Sequence, residues 1–64
     1  DDSTYTALEG QIEALTTRRD ALASQIRAAL NAAAADDAAL NEREAKAWIS
    51  QAQSLLAEAA ALNP

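Results

Sequence analysis

Large apolar residues recur at seven-residue spacing through the first half of the chain. Tyr5, Ile12, Arg19, Ile26 and Ala33 occupy a positions of a heptad repeat, and Leu8, Leu15, Leu22 and Ala29 occupy d positions. Only Arg19 interrupts the apolar seam, so the segment reads as one long helix bearing a coiled-coil stripe. Asp2, Ser3 or Thr4 offers a side-chain acceptor for the first free amides, and Thr6-Ala7-Leu8-Glu9 matches a capping box one turn later. The pattern therefore predicts helix 1 over about 4–34, with its start between Ser3 and Thr6. Gly10 falls at an f position, away from the seam, where it costs helix propensity but disturbs no packing.

The large apolar residues stop around Asp36-Asp37. Two adjacent acids are unfavourable at the negative end of one helix and favourable at the positive end of the next, which predicts a turn over about 35–41. Asn41-Glu42-Arg43-Glu44 supplies a second start signal, with Asn41 as N-cap and Glu44 completing a capping box. Helix 2 is expected over about 42–62, ended by Asn63-Pro64; an N-cap at Asp36 or Asp37 would lengthen it by a turn. Its seam holds Ala45, Ala52 and Ala59 at a and Trp48, Leu55 and Leu62 at d, with Ile49 and Leu56 at flanking e positions.

Folding the two helices antiparallel about the acidic turn sets Ile26 against Trp48, Leu22 against Ala52, Arg19 against Leu55, Leu15 against Ala59 and Ile12 against Leu62. Large side chains of one helix then face alanines of the other, which allows close approach of the backbones. The same register brings Arg18 beside Glu58. Turn position, steric alternation and charge agree on an all-α fold, an antiparallel two-helix hairpin.

Composition sharpens this picture. Half of the 64 residues are hydrophobic, but nineteen of these are Ala, against thirteen Leu, Ile, Trp and Tyr together. Alanine adds helix propensity and little buried area. One Gly, one Pro and few β-branched residues leave no vocabulary for strands. A chain this short seldom draws more than roughly 3–5 kcal/mol from its own core. Small chains add disulfides, metals or association. There is no Cys and no His, so a disulfide and a structural zinc site are excluded, and association is the expected device.

In the hairpin register Leu30, Ile49, Leu56 and part of Trp48 line one flank, while Tyr5 and Leu8 extend past the end of helix 2. Exposed apolar surface of this kind marks an interface. We therefore expect Tyr5, Leu8, Leu30, Trp48, Ile49 and Leu56 to meet a third surface. That surface is a second copy completing a four-helix bundle, or a parent or partner domain. Arg19 is read as a register-setting residue, its methylenes along the seam and its head toward solvent or Glu58.

The net charge of −5, with five scattered bases against ten acids, argues against nucleic-acid and anionic-membrane partners. No apolar run approaches the length of a membrane span. Asp36, Asp37, Glu42 and Glu44 lack the ligand alternation and turn Gly of a calcium loop, so no metal is expected. The serines have no evident base, no Gly-rich loop cradles phosphate, and two helices enclose no cleft. We expect no catalytic residue, no cofactor and no small-molecule substrate. The opening at Asp1 rather than Met leads us to expect a processed chain or part of a longer protein.

The runs from Leu15 to Ile26 and from Ala45 to Leu56 resemble the C-terminal helical tail of secreted alkaline-phosphatase-like phosphoesterases of actinobacteria. The likeness covers nearly the whole chain. It implies an extracellular accessory module that packs on or oligomerises a metal-dependent phosphoesterase. Any hydrolase activity, with its metal ligands and nucleophile, would reside in a parent chain upstream. From the residues themselves, the expected function is a non-catalytic structural or interaction hairpin. The alternative is a free-standing adaptor that binds a helix of another protein.

Overall fold

The computed structural model describes residues 1–62. It contains two helices, α1 (Asp2–Ala38) and α2 (Glu42–Ala60), packed as an antiparallel hairpin that measures 59 × 16 × 10 Å. The expected fold class is the observed one.

Helix α1 begins earlier than its capping signals suggested. Asp1, not Asp2, Ser3 or Thr4, is the N-cap: its Oδ1 accepts the Thr4 amide at 3.0 Å, the Ser3 hydroxyl at 2.8 Å and the Thr4 hydroxyl at 3.2 Å. A carboxylate there also complements the positive end of the helix. Thr6 does not cap anything. Its hydroxyl donates to the Asp2 carbonyl at 2.9 Å, inside the helix.

At the other end α1 runs through Asp36 and Asp37 to Ala38, four residues beyond the expected stop at Ala34. An acid in the last turn costs only about 0.3–1 kcal/mol. The alanine run Ala32–Ala35 and the next pair, Ala38-Ala39, favour helix at nearly every intervening position. The turn is consequently tight. The Asn41 amide donates to the Asp36 carbonyl at 2.8 Å and the Leu40 amide to the Asp37 carbonyl at 3.0 Å, the paired bonds of a Schellman motif. Leu40 holds the left-handed position of that motif, with φ of 63°.

Asn41 opens α2 through its backbone, accepting the Ala45 amide at 3.0 Å. The expected capping box does not form, because the Asn41 side chain makes no cap bond. It donates instead to Asp36 Oδ1 at 3.4 Å. Helix α2 ends at Ala60, and Ala61 and Leu62 form a turn. The expected stop at Asn63-Pro64 lies outside the described residues.

The core follows the heptads. Leu22, Ala29 and Ala33 of α1 and Ala45 and Ala52 of α2 are buried, while Ile26, Leu55, Ala59 and Leu62 are half-buried. Each of these is an a or d position. Leu22, at 0% exposure, is the only large side chain among the described residues that is fully enclosed. The rest of the core is alanine. Arg18 and Glu58 join the helices by the ion pair that the register predicted.

The expected layers beyond Leu22 are thinner. Ile12 is 62% exposed and Leu15 is also exposed, so Leu62 and Ala59 do not bury them. Alanine has too little side chain to cover Leu15, and α2 stops just as it reaches this level.

Candidate interaction surface

Helix length determines what is left uncovered. The 37 residues of α1 extend about 55 Å, and the 19 residues of α2 about 28 Å. The Arg18–Glu58 pair marks where the hairpin has begun, so the arm that extends beyond it is residues 2–17 of α1, about 24 Å. This arm carries the same a/d seam that is buried further along. On it Tyr5 is 69% exposed, and Leu8, Ile12 and Leu15 follow at heptad spacing. A Cβ at Gly10 would meet nothing within 4 Å.

A second apolar surface lies along the hairpin itself. Residues at e positions of two antiparallel helices border the same side of their seam. Leu30 of α1 and Ile49 and Leu56 of α2 are all exposed there. Near the turn they border an open groove. Ala33 and Ala45 form its floor, Leu30 and Ile49 its walls, and Asp37, Glu42 and Lys46 its rim. Toward the arm the groove continues as a shallower hollow lined by Arg19, Leu56, Ala59 and Ala60. Lys46 reaches Glu42 at 3.4 Å in a solvent-exposed pair. Such pairs contribute little.

The structure thus separates the residues singled out from the sequence into two groups. Tyr5 and Leu8 lie on the arm, while Leu30, Ile49 and Leu56 border the hairpin groove. Trp48, 37% exposed, is a d residue that the hairpin covers only in part. Arg19 sits where arm and hairpin meet, at an exposed a position. Sequence reasoning missed Ile12, Leu15 and Leu40 as exposed apolar residues. The signal for the first two was the run of small residues Ala59, Ala60 and Ala61 at the end of α2. Leu40 stands alone at the tip of the turn.

Among the described residues, no buried side-chain polar atom lacks a hydrogen-bond partner. Nor does any group of three or more His, Cys, Asp or Glu residues there have the arrangement to hold a metal ion. No helix among the described residues is long and apolar enough to cross a membrane. The surface consists of an apolar ridge and an apolar groove, each edged by charge. Its chemistry is that of helix packing. Compared with protein-family models, curated proteins and solved structures, the chain matches none of them.

Proposed function

We propose that this chain is a non-catalytic assembly module that self-associates through the arm and the hairpin groove. The observation that carries the proposal is excess surface. A compact folded chain of its mass, 6.7 kDa, exposes roughly 3,900 Å². Here the exposed area is 5012 Å², leaving an excess of roughly 1,100 Å². A specific interface of ordinary size buries about 800 Å² on each partner. The apolar heptads of the arm contribute to the excess, since Tyr5, Leu8, Ile12 and Leu15 are all exposed. A core of one leucine and four alanines also gives the isolated hairpin little to fold on.

On the resemblance to phosphoesterase tails, the module would assemble an enzyme whose catalytic centre lies outside these 64 residues. The hairpin's role would then be to fix the number and orientation of its copies.

Sedimentation equilibrium, combined with thermal melts at protein concentrations spanning two decades, tests self-association. The expected result is a dimer whose melting temperature rises with concentration. A monomer with a sharp, concentration-independent melt would refute the reading.

A further inference from the structure

We infer that two copies of the chain lie antiparallel, each arm seated in the hairpin groove of the other. This rests on the self-association proposed above and specifies its geometry. The first ground is length. The arm and α2 are similar in length, about 24 and 28 Å. When one α1 is inverted about a two-fold axis level with Arg19, each arm spans the other copy's groove from end to end. The cross-section then holds three helices at every level: both α1 helices throughout, with the two α2 helices end to end beside them. A four-helix bundle would cover all of α1 only if α2 were as long as α1. With α2 at 19 residues against 37, pairing hairpin with hairpin leaves both arms bare.

The second ground is the fit of apolar surfaces. The arm offers a ridge of Tyr5, Leu8, Ile12 and Leu15, and the groove offers exposed Leu30, Ile49 and Leu56 above an alanine floor. Small residues in the floor let a third helix approach closely. The excess surface is sufficient for the interface, since roughly 1,100 Å² exceeds the 800 Å² or so per partner that a stable complex buries.

Charge selects the orientation. The arm holds Asp1, Asp2, Glu9 and Glu13, with no Lys or Arg before Arg18. Parallel copies would set two such acidic arms side by side. Inversion instead brings each arm, with its four acids, level with the turn half, where Arg27, Arg43 and Lys46 offset all but one of the four acids Asp36, Asp37, Glu42 and Glu44, so the repulsion is smaller. At the waist, Arg18, Arg19, Asp20 and Glu58 of each copy sum to zero charge.

Spin-label distances test the geometry. Gly10→Cys provides a labelling site that contacts nothing, and Ser24→Cys a second exposed one. In the antiparallel arrangement the Gly10 labels are separated by about 27 Å along the axis, close to 30 Å in all. The Ser24 labels are closer, at about 15 Å along the axis. Labels at Gly10 nearer than about 20 Å would indicate parallel copies or arms paired end to end, and a separation beyond about 45 Å would indicate hairpin on hairpin with the arms free. Either result in a sedimenting dimer overturns the arm-in-groove geometry and leaves self-association standing. A monomer at several hundred micromolar overturns both.

Discussion

Replacing Leu40 with glycine should stabilise the hairpin. Leu40 sits at φ of 63°, where a side chain crowds its own backbone at a cost of roughly 1–2 kcal/mol. Glycine removes that cost. The side chain is 90% exposed, so its loss forfeits almost no packing within the hairpin. Against the gain stands the greater freedom of glycine in the unfolded chain, about 0.4–1 kcal/mol. The net expectation is a stabilisation of about 0.5–1 kcal/mol. Urea unfolding at one fixed protein concentration, followed by helical circular dichroism and by Trp48 fluorescence, measures it. The midpoint should rise with the slope unchanged. Leu40→Asn should fall between the two, because Asn tolerates the left-handed region better than Leu, and Leu40→Val should destabilise. If Leu40→Gly lowers the unfolding free energy by about 0.5 kcal/mol or more, the leucine side chain makes contacts that outweigh its backbone strain. The turn would then be held by packing rather than by its hydrogen bonds.

Two further experiments probe the core and the register. Leu22→Ala removes the one large side chain that is wholly enclosed among the described residues. It should cost about 2–5 kcal/mol, enough to abolish cooperative unfolding at 25 °C in a chain of this size; a sigmoidal melt retained within 5 °C of the wild type would contradict that. The Arg18–Glu58 pair has both side chains nearly half exposed. A double-mutant cycle with Arg18→Gln and Glu58→Gln should give a coupling of only about 0–1 kcal/mol, declining toward zero in molar salt. A coupling above about 2 kcal/mol would mean that the pair is desolvated, as in a deeper interface.

The hairpin was legible because its information is periodic. Leu22, Ala29 and Ala33 on one helix and Ala45 and Ala52 on the other repeat at heptad spacing, and burial follows that spacing directly. The Arg18–Glu58 pair was legible for the same reason, since one register fixes all others along two rigid rods. Boundaries were less readable. Asp36-Asp37 signalled a stop, but dipole effects of a few tenths of a kcal/mol gave way to the helix propensity of the surrounding alanines. Leu40 carried no signal at all, because the left-handed position that closes a helix is ordinarily announced by glycine. Of the candidate surface, the exposure of Leu30, Ile49 and Leu56 followed from their e positions. That of Ile12 and Leu15 depended on where α2 stops and on how little Ala59, Ala60 and Ala61 can cover, a signal carried by side-chain size and not by heptad position.

The tight turn at Ala39–Asn41 has a consequence for how such a module changes in size. Because the reversal point is pinned by backbone hydrogen bonds, the far end of α2 is the adjustable dimension. Each heptad added to or trimmed from α2 shifts the boundary between sheltered and bare seam by about 10 Å, with turn and core untouched. The second helix thus acts as a sleeve on a fixed rod, and its length meters how much of the rod is offered to another molecule.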